Sequence, residues 1–189
     1  MVFTGGVARI GGMDKALEAA LGQPMTIPEH PEFTGARGSL YIDPIRLDIT
    51  RLDVSVPVAN VYTTSKLLDA ELAGADWLDS ARHPTLALRT TSVLAQGDGV
   101  LNVIGDMSMH GVTRPVTLDV TFHGAGINPV KDIYTIGFDV RGRILRSDFG
   151  VTSHLPLIGD ELELIISASF ELEGAMPEAL GTEDRGETT

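Results

Sequence analysis

Strict alternation of apolar and polar side chains runs through most of residues 38–173, and it commits the chain to strands with one dry and one wet face. Leu52, Val54, Val56 and Val58 alternate with Asp53, Ser55 and Pro57. Val116, Leu118, Val120 and Phe122 alternate with Thr117, Asp119, Thr121 and His123. Leu101, Val103, Gly105, Met107 and Met109 repeat the pattern against Asn102, Ile104, Asp106 and Ser108, with Ile104 as the apolar exception. Further along come Ile136, Phe138 and Val140, then Leu162, Leu164, Ile166, Ala168, Phe170 and Leu172 against a face of Glu and Ser. Weaker strand signals lie at residues 39–43 and 85–92.

Turn chemistry punctuates these runs at Gln96-Gly97-Asp98-Gly99, His110-Gly111-Val112-Thr113, residues 124–129 and Gly159-Asp160. Connections this short favour antiparallel neighbours. About six to eight such strands must close on themselves or stack as two sheets, because an open sheet would leave its apolar face wet. The periodicity fits a barrel and a sandwich equally. Two segments break it: residues 14–22 are good helix formers stopped by Gly22, and residues 64–72 place Leu67, Leu68 and Leu72 at helical spacing. The chain thus divides into an atypical N-terminal segment 1–34 (short strand at 7–10, helix, Pro-rich loop), a β domain over 35–173, and an acidic tail 174–189 expected to be disordered.

Composition narrows the function. A formal net charge of −12 repels phosphate backbones and no Lys/Arg cluster interrupts it, so nucleic acid is not an expected partner. The absence of cysteine removes disulfides and thiolate metal sites. The opening residues lack the basic n-region and apolar run of a secretory signal, and no run approaches the roughly 18 residues of a membrane span. As written, the chain is expected to be cytoplasmic and without stable membrane insertion; a processed form of an exported protein would be periplasmic or secreted.

Residues that could carry chemistry have blander readings. His30, His83, His110, His123 and His154 stand one by one, with no pair at zinc-ligand spacing, and no metal site is expected. Ser108, His110 and Asp106 share a wet strand face without a nucleophile elbow. Asp148 and Asp160 flank turns, where carboxylates usually cap. Arg141, Arg143 and Arg146 gather near one strand end, where they meet an anionic headgroup or offset the acidic surface. Met107 and Met109 suit a pocket for a flexible chain and equally a plain core. A barrel of about eight strands is just wide enough to be filled or to hold one small ligand.

Leu72-Ala73-Gly74-Ala75-Asp76-Trp77-Leu78-Asp79, His83-Pro84-Thr85-Leu86, the run Gly105 to Val116 through His110-Gly111-Val112-Thr113-Arg114-Pro115, and Arg146-Ser147-Asp148-Phe149-Gly150 ahead of Ile158-Gly159-Asp160 resemble, in order and spacing, the YceI family. The resemblance covers roughly residues 35–173. It implies an all-β fold, an extended antiparallel lipocalin-like β-barrel of about eight strands with one or two short helices. It also implies non-enzymatic binding, carriage or sequestration of a polyisoprenoid, quinone-like molecule or other lipid, a hydrophobic small molecule rather than a cofactor. On that reading Val103, Met107, Met109, Val120, Phe122, Ile136, Phe138, Ile166 and Phe170 line the tunnel, while Trp77 and Phe149 close its ends or pack under loops. A packed interaction module and a lipid cyclase or isomerase are the alternatives. The family's usual first strand, Ser-x-Val-x-Phe-x-Val-x-His, has no counterpart in residues 1–34. A barrel with that strand missing or replaced exposes an edge that a second subunit could cover, as a homodimer.

Overall fold

The structure, a computed structural model, describes residues 2–4, 37–43, 46–61, 63 and 65–173. Seven strands curl into one antiparallel sheet in chain order: β2 (Arg37–Tyr41), β3 (Arg51–Pro57), β4 (Thr85–Gly97), β5 (Val100–Met109), β6 (Val112–Asn128), β7 (Ile133–Leu145) and β8 (Glu161–Leu172). The three-residue β1 (Val2–Thr4) pairs with both β2 and β8 and closes the barrel. Curling places every inward side chain against another wall, which resolves the choice between barrel and sandwich that periodicity leaves open. The expected strand at residues 7–10 and helix at 14–22 lie outside the described residues, as does the acidic tail. The expected helix at 64–72 is α1 (Lys66–Leu72), with Leu68 and Leu72 buried.

Two hairpin turns follow directly from sequence. Asp98-Gly99 joins β4 to β5 and His110-Gly111 joins β5 to β6, each with both central residues at positive φ, the conformation whose twist matches the flanking strands. At Gly111 a second constraint applies. A Cβ there would lie 2.4 Å from Cε1 of His83, whose ring packs edge-on against His110. Gly111→Ala is therefore expected to cost about 1–3 kcal/mol from backbone strain alone, read as a lower urea midpoint at unchanged m-value.

The connection expected at residues 124–129 is displaced. A β-bulge between Phe122 and Gly124 absorbs the irregularity, β6 resumes to Asn128, and the turn falls at residues 129–132. Asn128 makes that turn by accepting the backbone N–H of Val130 and of Lys131 on its side-chain Oδ1.

The two ends of the barrel differ. At one end, where β5 meets β6 and β7 meets β8, Leu72, Trp77, Leu78, Phe149, Val151 and Ile158 are buried in a dense floor. At the other end, Phe122, Ile127 and Val130 remain exposed as an apolar rim, and Tyr41, Leu94 and Val100 are exposed on the outward face of their strands.

Candidate functional site

Between floor and rim lies an apolar cavity of about 130 Å³. Its wall is built by alternation: Leu52, Val54 and Val56 of β3, Leu86 and Leu88 of β4, Leu101, Val103 and Met107 of β5, and Val116, Leu118 and Val120 of β6 all point inward, and β7 and β8 contribute Phe138, Val140, Leu164, Ile166, Ala168 and Phe170. Of the residues expected to line a tunnel, Val103, Met107, Val120, Phe138, Ile166 and Phe170 are in this wall.

Three are not, and each has a geometric reason. Met109 is buried at the last position of β5, below the cavity and within the floor. Ile136 is buried opposite Phe170 but does not reach the cavity. Phe122 has the inward parity, yet the bulge beside it leaves it 41% exposed at the rim, its ring 5.8 Å from that of Phe138. Trp77 and Phe149 close the floor end.

Polar groups on the cavity wall are few: Arg37, Thr50 and Thr90. Thr90 is spoken for, its Oγ1 accepting the backbone N–H of Leu52 at 2.9 Å across the β3–β4 pair. Thr50, immediately before β3, is 7% exposed and its Oγ1 has no hydrogen-bond partner among the described residues. Sequence reading passed over both, although Thr50 has the same parity as Leu52, Val54 and Val56 and so belongs on their face.

The arginine cluster is reassigned. Arg141 and Arg143 face outward and meet Glu163 and Glu161 across the β7–β8 pair at 3.9 and 3.5 Å. Arg146, by contrast, is 1% exposed. It donates from Nε to the carbonyl of Gly159, from Nη1 to Val151 and from Nη2 to Ile158, at 2.9–3.0 Å, with its guanidinium 5.1 Å from the Trp77 ring centroid. Burial pushes its pKa down, but a guanidinium starting so high stays charged. It is a structural cation and cannot greet a headgroup. Parity was again the available signal, since residue 146 falls on the opposite face from 141 and 143.

The remaining candidates are also structural. His123 lies on the wet face and pairs through Nε2 with Asp139 at 2.6 Å. Ser108 hydrogen-bonds Thr113, and His110 Nδ1 sits 3.2 Å from the Phe149 carbonyl, so the imagined Ser108, His110 and Asp106 set does not converge. Asp148 accepts through its backbone carbonyl from Arg114 Nε. Asp160 accepts the backbone N–H and the hydroxyl of Ser147, and these bonds hold its carboxyl below the usual carboxylate range. A depressed folded-state pKa stabilises fully above the ordinary value of about 3.9 and is lost as pH falls through the folded one. Asp160→Asn should lower stability at neutral pH and flatten the acid limb of the stability curve, measured by urea unfolding across the acid range.

Among the described residues, one closed antiparallel sheet surrounds an apolar interior, which defines an antiparallel β-barrel with an internal cavity. The chain belongs to the YceI-like family: the YceI-like domain matches residues 22–170, beginning inside the segment set apart as 1–34. Among curated relatives, a UPF0312 protein of Azotobacter vinelandii is 31% identical over 130 residues, 69% of this chain and 67% of the relative. A UPF0312 protein of Yersinia pestis is 33% identical over 135 residues, 71% of this chain and 69% of the relative. Of the solved structures, the Campylobacter jejuni YCEI protein superposes with a TM-score of 0.70 at 22% identity, covering 80% of this chain and 88% of that one. Burkholderia cenocepacia BcnA superposes with a TM-score of 0.66 at 20% identity, covering 89% and 95%. At those identities the likeness is one of fold.

The segments that carry the family resemblance converge on the floor. Trp77, His83, the His110 to Arg114 turn, Arg146 to Gly150 and Asp160 are joined there by the bonds described above, by the stacking of Trp77 on His154, and by Val58 N–H donating to the Pro84 carbonyl. The motif thus builds mainly the closed end of the barrel, and reaches the cavity wall at Leu86, Met107 and Val116.

Proposed function

We propose that this protein binds an apolar, chain-like ligand inside the barrel and releases it chemically unchanged. The observation that carries the reading is the wall itself. A general acid or base needs a group that titrates near working pH, and the only ionisable wall residue among those described is an arginine, Arg37. Apolar ligand surface moved into such a site gains roughly 25 cal/mol per Å² buried.

Size limits the ligand. About 130 Å³ is less than the roughly 300 Å³ at which sites for drug-sized molecules begin. The cavity therefore takes an aliphatic or isoprenoid segment, and the rest of a longer ligand extends past Phe122 and the exposed apolar rim. Long, rotatable side chains such as Met107, Leu52 and Leu101 let the wall adapt to that segment. An isoprenoid, a quinone-like molecule or another lipid satisfies this description.

Native mass spectrometry of the freshly purified full chain, followed by organic extraction, tests the reading. A stoichiometric apolar adduct recovered unaltered is the expected result. A protein that is empty and also takes up no prenyl lipid, quinone or fatty alcohol overturns it.

A further inference from the structure

We propose that Thr50 is the polar anchor of the cavity, and that the ligand it selects carries a neutral oxygen function, a hydroxyl or carbonyl, on an otherwise apolar chain. The inference rests on the binding function proposed above and adds the ligand's chemical class and orientation to it.

Thr50 is set up for this task by its backbone. It closes the 3-10 turn at Leu47–Ile49, its N–H donating to the Leu47 carbonyl at 3.0 Å. Its own carbonyl accepts from Arg51 Nη1 at 2.8 Å, while that same nitrogen reaches the Asp48 carbonyl at 3.3 Å. Both backbone groups are thus satisfied and the turn is tied at two points, leaving the hydroxyl as the one unsatisfied group of the residue. That hydroxyl is buried, belongs to a cavity-lining residue and has no partner among the described residues. Native proteins rarely leave a buried polar group orphaned, because it forfeits its bonds to water without replacement. The second wall hydroxyl, on Thr90, shows the usual arrangement, being bonded within the protein.

The chemistry of the surroundings decides what fits. A hydroxyl both donates and accepts, so it can meet a carbonyl or an alcohol. An anion brought to the same place would find a single neutral partner. Of the nearby cations, Arg46 is engaged on Asp48 and Arg51 on the turn carbonyls, and neither lines the cavity; Arg37, which does, lies opposite Ser55, five residues along the chain from Thr50. A buried charge without a counter-charge is far costlier than a buried neutral oxygen. The polar end of the ligand consequently lies at the β2–β3 turn, and its tail runs toward Val56 and Met107 above the floor.

The test compares dodecanol, dodecane and dodecyl phosphate as competitors of an apolar fluorophore bound to the full chain, in the natural protein and in Thr50→Val and Thr50→Ser. Dodecanol is expected to bind about tenfold more tightly than dodecane to the natural protein and to Thr50→Ser. Thr50→Val should abolish that difference while leaving dodecane unchanged. It should also raise the Tm of the ligand-free protein by about 2–4 °C, because an orphaned hydroxyl is removed. Equal binding of alcohol and alkane by the natural protein, or a Thr50→Val that weakens both alike, overturns the anchor and leaves apolar binding standing. Tightest binding of the phosphate overturns the neutral class. Failure of all three probes to bind the natural protein overturns the binding function itself, and the anchor with it.

Discussion

Replacing Ala168 with Phe is expected to lower uptake of an apolar ligand by at least about tenfold while leaving the protein as stable as before or more so. Ala168 sits on β8 directly across from Phe138 and faces the cavity, so the added ring has only that space to enter. The energetics favour filling. At roughly 24 cal/mol per Å³, an empty cavity of about 130 Å³ costs the fold about 3 kcal/mol, and a well-seated ring recovers part of this. Overpacking elsewhere in a close-packed core would cost about 1–3 kcal/mol; the opposite sign here separates a cavity from a core. Fluorophore titration and urea unfolding of Ala168→Phe read the two effects independently. A variant that binds as the natural protein does would place the ligand outside the barrel. One that is strongly destabilised would mean the interior closes around the wall in solution.

Arg146→Ala is expected to be the most damaging single substitution at the closed end, at about 4 kcal/mol or more. Truncation strips the donors from the carbonyls of Gly159, Val151 and Ile158 at once, and removes the cation from the Trp77 ring. Each buried carbonyl left without a donor costs about 1–3 kcal/mol, and the terms are not additive. Against a total stability of about 5–15 kcal/mol, that is enough to threaten the fold. Arg146→Lys should restore little, because one ammonium cannot match a planar fork that reaches three carbonyls in fixed directions. Urea midpoints of the two variants measure this. A loss under about 1 kcal/mol would show that the floor loops relax and find other donors.

Legibility in the sequence followed the range of the physics. In β3, β5 and β8 the dry face could be read residue by residue, because the side of a strand a residue occupies depends only on its parity. The Asp98-Gly99 and His110-Gly111 turns were likewise legible, since they are decided by the φ values two adjacent residues tolerate. Where a local irregularity intervened, reading failed: the bulge at Phe122 and Gly124 shifted the β6–β7 turn to residues 129–132 and left Phe122 at the rim. Arg146 was read as a surface cation and Thr50 was passed over because arginine and threonine are ordinarily surface residues, yet their parity with Ile144 and with Leu52 placed them inward.

By itself, then, the sequence determined the strands, their dry faces, two of the hairpins and the family. Only the tertiary structure decided that the sheet closes, that Met109 and Ile136 pack outside the cavity while Met107 and Phe138 line it, and that Thr50 is the hydroxyl left without a partner. The physical reason is that a cavity is a difference of volumes. It depends on how side chains from β2 to β8, far apart along the chain, fail to fill the space they enclose, and no local pattern encodes that remainder. The same holds for Arg146, whose burial exists only because the segment from Val151 to Gly159 folds back and presents three carbonyls to it.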